Sequence, residues 1–126
     1  MKKIFQIFII VCGSLLMNSC YYDNDEDFIT IPEIPTDPGD PGYVEIKYGA
    51  EIQPIFTESC TGCHNENRNP DLREGKSYDA LLPTYVTPFK SAESLLYTKL
   101  DGGHQNLAPA KIELIKAWIN QGAKNN

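Results

Sequence analysis

Ser59–His64 reads SCTGCH: two cysteines three positions apart, with a histidine directly after the second. A turn that must present two thiols and an imidazole to one partner leaves the surrounding chain few options, above all in 126 residues. Three readings compete. The motif is a redox dithiol, half of a metal site, or the attachment point of a covalently held cofactor. The compartment decides among them, and the N-terminus carries that information.

Lys2 and Lys3 precede an apolar run from Ile4 to about Met17, broken only by Gln6, Gly13 and Ser14. A membrane-spanning helix needs roughly 20 apolar residues. This shorter run with a basic flank reads as a secretory signal over residues 1–19. Leu15–Cys20, LLMNSC, resembles a bacterial lipobox, with Met17 where most lipoboxes have Leu and Leu16 one place earlier. The resemblance implies cleavage before Cys20 and a lipid on its thiol. A plain signal that leaves Cys20 free is the alternative. Each buried CH₂ of an acyl chain contributes about 0.8 kcal/mol, and stable anchoring takes more than one chain. The expectation is an exported outer-membrane lipoprotein, held to the membrane through Cys20 and facing the periplasm or the cell surface.

Residues 20–43 follow as a tether. Tyr21–Tyr43 holds seven acidic residues, no Lys or Arg, and four of the nine prolines. Such a segment buries too little apolar surface to offset its ordering entropy. Proline at this density favours extended polyproline II at about 3.1 Å per residue. The cluster Asp23, Asp25, Glu26, Asp27 also resembles signals that send some lipoproteins to the cell surface. A solvating linker explains it equally well. The tether accounts for the net charge of −6, because from Val44 onward nine basic residues meet ten acidic ones. No basic patch favours nucleic acid. About 83 residues remain at 44–126, one small domain whose thin core benefits from a covalent or metal staple.

Four cysteines are present. Cys12 leaves with the signal and Cys20 is assigned to lipid. Cys60 and Cys63 remain, too few for a disulfide framework. A thioredoxin-like dithiol sits after a strand, and no β-branched run precedes Cys60. Zinc takes four ligands, and beyond Cys60, Cys63 and His64 the chain offers only the distant His104. C-x-x-C-H is the signature of covalent c-type haem. On one helical turn, the two thiols reach the two vinyl groups along one porphyrin edge, and His64 comes under the iron as proximal ligand. Attachment happens outside the cytoplasm, where the signal sends the chain. The cofactor expected is one covalently attached haem c.

The domain around the motif reads as all-α. Ile52, Ile55 and Phe56 make one apolar stripe before Cys60, provided that Pro54 lies in the first turn of its helix. The polar loop Asn65–Leu72 offers backbone carbonyls to the His64 ring N–H. Ser77–Leu82 reads as one or two helical turns. Ser91 is the expected N-cap of a helix bearing Leu95, Leu96 and Leu100, which Gly102 and Gly103 stop. A final helix starts at Pro109 after the poor cap Ala108. Ile112, Ile115 and Ile119 form its face, Leu114 and Trp118 flank it, and Gly122 suits its C′ position.

The leading I-x-P-I-F…C-x-x-C-H and the terminal L-I-K-A-W-I-N-Q-G-A resemble small bacterial monohaem cytochrome c domains of the class I type. The likeness covers residues 44–126. It implies a small cytochrome c-like fold whose N- and C-terminal helices cross beside the haem, with Ile52 and Phe56 against Ile115, Trp118 and Ile119. It also implies an electron carrier, not an enzyme, working with redox partner proteins. The family's distal ligand is a methionine in a glycine-rich loop before the last helix. Here methionine occurs only at positions 1 and 17. His104 stands where that methionine is expected, forty residues after His64. His64 and His104 are therefore the expected iron ligands. The alternative leaves the sixth position open, or filled by water, Lys90 or Lys99. An open position suits peroxide reduction, gas sensing or a structural haem module of a surface complex.

Overall fold

The structure is a computed structural model that describes residues 31–126. The signal at 1–19, Cys20 and the acidic cluster at 23–27 lie outside the described residues. Among the described residues all regular structure is helical and no strand forms, as the sequence pattern predicts. None of these helices is long and apolar enough to cross a membrane.

Pro54 shapes the start. It has no N–H to give to the turn before it, so it is accommodated only in the first turn of a helix. Helix α1, Gln53–Ser59, begins one residue ahead of it. The chain reaches α1 through a single wider π-helical turn, Tyr48–Ile52, in which the Gln53 N–H bonds five residues back to Tyr48 O. Helix α2 is Ser77–Leu81 and helix α3 is Leu95–Asp101. Ser91 does not cap α3. It opens a short 3₁₀ turn, Ser91–Glu93, and the extended Ser94 intervenes. Ser94 Oγ accepts the Thr87 N–H at 2.9 Å and sits 2.9 Å from Lys90 O, so it serves the preceding loop rather than the helix.

Helix α4, Pro109–Asn120, starts at its proline and has no side-chain cap at Ala108. It stops at a Schellman closure. The Gly122 N–H bonds Ile119 O at 3.0 Å and the Ala123 N–H bonds Trp118 O at 2.9 Å. That pairing needs a left-handed residue at C′, and Gly122 supplies φ +102°.

The core gathers Ile52, Phe56, Leu81, Ile115, Trp118 and Ile119, all essentially inaccessible. Trp118 is central rather than flanking, and its indole N–H donates to Lys124 O at 3.0 Å. Ile112 and Leu114 are only partly buried. Helix α4 packs on α3 and on the π-helical turn. There the Tyr48 ring lies 5.2 Å from both the Trp118 and Tyr78 rings.

Residues 31–43, which composition reads as tether, lie against this domain. Ile34 packs on the core. Asp37 and Asp40 accept the N–H groups of Gly39 and Gly42 in two Asx turns. The buried Gln121 amide joins the stretch to α4. It donates to Pro35 O (3.1 Å) and Val44 O (3.0 Å) and accepts the Ile46 N–H (2.8 Å). Backbone groups that find a buried partner can settle on the domain despite a sequence composition typical of linkers.

Candidate functional site

The CxxCH motif begins where α1 ends. The Cys60 and Thr61 N–H groups both reach Phe56 O, at 2.8 and 3.1 Å. Cys63 and His64 then both donate to Cys60 O, at 3.0 and 2.8 Å. These bonds wind Cys60–His64 into one turn, and Cys60, Cys63 and His64 all line the same cavity. Neither cysteine is in a disulfide; Cys60 is half-buried and Cys63 exposed. Burial pushes the Cys60 thiol above its ordinary value, against a smaller opposing effect of Lys111. A thiol held in that state lacks the thiolate character of a reactive redox dithiol.

The cavity measures about 470 Å³, within the roughly 300–1,000 Å³ typical of small-molecule sites. Its walls are mainly apolar. Phe56, Leu72, Leu81, Leu100 and Ile115 close it from the core side. Arg68, Asn69, Lys99 and Gln105 add polar groups.

His104 also lines it. The His64 and His104 rings lie 6.1 Å apart between centroids, inclined at 72°. Two imidazoles bonded on opposite sides of one metal ion at about 2 Å per nitrogen place their centroids about 6 Å apart. The two histidines that sequence spacing singles out are thus brought together at a separation that suits a shared ion. His64 is partly buried and His104 exposed.

Glycines position His104. Gly103 takes φ +85° and ends α3 in a left-handed turn. Gly102 does not share this conformation; its φ is −74°. Gly102 is constrained by space instead: a Cβ there would lie 3.2 Å from Thr98 O. Gln105 and Asn106 adopt φ +66° and +49°.

One expectation that fails here concerns the His64 ring. Its Nδ1 is buried with no hydrogen-bond partner. Of the carbonyls in the loop that was to supply the acceptor, that of Asn65 takes the Arg68 N–H at 3.0 Å and that of Leu72 takes the Gln53 Nε2 at 3.1 Å. A buried polar atom left unmatched costs free energy unless another group engages the ring.

The donor set separates the metal readings. Among the described residues no group of three or more His, Cys, Asp or Glu side chains is gathered as a ligand shell. Four-ligand zinc finds no assembled site. His64 and His104 would hold a metal-centred group that supplies the rest of its own donors, and Cys60 and Cys63 beside them would hold it covalently. Of the two lysines considered for the sixth position, Lys99 lines the cavity. Lys90 is not among its walls and pairs with Glu93 at 3.1 Å. Sequence patterns gave no signal for Gln105, whose Nε2 donates to Ser59 O at 2.8 Å. An amide in a polar loop has no periodicity to announce it.

No family model, curated protein or solved structure matches this chain.

Proposed function

We propose that this chain is a lipid-anchored monohaem cytochrome c that transfers single electrons outside the cytoplasm. The observation that carries the reading is the shared cavity: Cys60, Cys63, His64 and His104 all line it, and the His64 and His104 ring centroids lie 6.1 Å apart. Cys60 and Cys63 would hold the haem as thioethers, and His64 and His104 would ligate its iron. Haem bound there supplies one-electron exchange between ferric and ferrous iron. The protein's part is to fix both imidazoles and keep water from the cavity with Phe56, Leu72, Leu100 and Ile115. Burial and ligand choice then set the potential. With His64 and His104 both holding the iron, the chain would act as a carrier rather than an enzyme. Its partners are redox proteins, and its tie to the membrane is the lipid on Cys20. A small class I-like cytochrome c fold is part of this proposal, supported by the packing of α4 on the turn that leads into α1.

One observation favours a second reading. His104 is exposed, and a ligand that swings away leaves the sixth position free for peroxide, a small gas or a purely structural role.

The deciding experiment is maturation of the full chain with a c-type haem attachment system, followed by extraction with acidified organic solvent. Haem should stay on the polypeptide, and Cys60→Ala or Cys63→Ala should each lose most of it. Haem that leaves the wild-type chain quantitatively would falsify the assignment.

A further inference from the structure

Ser59 is the last residue of α1, and its carbonyl is one of the four that a helix leaves without a partner of its own. Gln105 supplies the partner. Its Nε2 donates to Ser59 O at 2.8 Å, between residues 46 positions apart. The sequence neighbours give this bond its meaning: Ser59 directly precedes Cys60, and Gln105 directly follows His104. The bond therefore ties the two sides of the cavity together at their reactive residues.

Gln105 makes it from φ +66°, a left-handed conformation that a non-glycine residue holds only when its surroundings enforce it. Nearby, Lys111 pairs with Glu58 at 2.9 Å, but Glu58 is 65% exposed, and such pairs at the surface contribute little. The amide bond is the short-range constraint between the His104 turn and the end of α1.

We propose that Gln105 is a positioning residue, a latch that holds His104 over the cavity and so sets how often the sixth iron position is open. This rests on the reading of His104 as the distal ligand. With the latch closed, His104 stays in place and the chain carries electrons. With it released, the exposed turn carries His104 away and exogenous ligands gain access.

The test uses the full chain matured with haem. Gln105→Glu keeps size and reach but replaces the donor with a carboxylate that repels Ser59 O, and Gln105→Ala removes the contact. Both should raise the ferric high-spin fraction and the rate of CO binding to the ferrous protein by about 2- to 10-fold, the range that one net hydrogen bond sets. Gln105→Arg keeps a donor and should restore the wild-type spectrum. Spectra and CO rates unchanged in both variants overturn the latch. An unchanged spectrum in His104→Ala refutes the ligand reading itself, and the latch with it. In the haem-free full chain, amides 103–107 should exchange hydrogen faster in Gln105→Glu than in wild type. Equal exchange there counts against the latch independently of haem.

Discussion

The Phe89 ring fills the space in which any residue at 122 other than glycine would carry its Cβ. That atom would stand 2.7 Å from Phe89 Cζ. Phe89 is itself held at φ +66°, and its N–H donates to Ile119 O at 2.8 Å. The end of α4 and the loop before α3 thus lock each other. Gly122→Ala should lose about 1–3 kcal/mol from the left-handed strain and the clash together, read as a lower urea midpoint. Adding Phe89→Ala removes the clash but not the strain. The double variant should therefore be more stable than the sum of the two singles predicts. Additivity within about 0.5 kcal/mol would show that the ring is irrelevant.

Tyr48 predicts an alkaline limit. Its hydroxyl donates to the buried Ser77 Oγ at 2.6 Å, and Ser77 in turn bonds Gln53 Oε1. Burial holds the Tyr48 phenol up at about 12, against about 10 in the unfolded chain. The folded state keeps its proton longer, so this contribution is complete below pH 10 and fades as pH rises from 10 through 12. Two units correspond to about 3 kcal/mol at most. Alkaline unfolding followed by tyrosinate absorbance should show the loss, and Tyr48→Phe should flatten it. A wild-type stability that does not change between pH 9 and 12 would contradict the account.

His104 predicts a potential. Methionine opposite histidine gives a haem a higher potential than a second histidine does, and axial ligands as a class span about 0.8 V. His104→Met should raise the midpoint potential and bring in a Met–iron absorption in the near infrared. His104→Ala should give a high-spin ferric protein that binds CO. If Lys99→Ala, rather than His104→Ala, removes the low-spin spectrum, the sixth ligand is Lys99.

Cys20 predicts a location. Wild-type protein should fractionate with membranes, and Cys20→Ala should move to the soluble exported fraction. Protease added to intact cells should release the domain if it faces outward and spare it if it faces the periplasm. A wild-type chain found entirely in the soluble fraction rules out the anchor.

Local rules made much of this fold legible. Pro54 and Pro109 mark helix starts because neither has an N–H to give, and Gly122 marks a stop because only a left-handed residue closes α4. The stripe Ile52, Ile55, Phe56 lies in the core because its spacing matches a helical face. The Cys60–His64 turn, too, follows from spacing. What failed depended on tertiary context. Ser91 and Ser94 are equivalent as sequence, and only the demands of the Thr87 N–H and the 87–90 loop draw Ser94 away from capping. Of the loop carbonyls expected for His64 Nδ1, those of Asn65 and Leu72 are taken by the Arg68 N–H and the Gln53 amide. Trp118 reads as a flank on a helical wheel, yet it is central because Tyr48 meets it from the π-helical turn, which no periodicity of 3.6 describes.

The seat of residues 31–46 on α4 has a consequence for how such a chain diverges. Gln121 reaches this stretch only through main-chain atoms: the carbonyls of Pro35 and Val44 and the amide of Ile46. Any residue supplies a carbonyl, and any but proline supplies the amide, whereas no other side chain offers an acceptor and two donors at that reach. Apart from Ile34 and Ile46, which pack in or against the core, the acidic, proline-rich stretch can therefore exchange most of its side chains between descendants and keep its place. Position 121 cannot change without orphaning three peptide groups at once. Among relatives, variability should pile up on one side of this contact and invariance on the other.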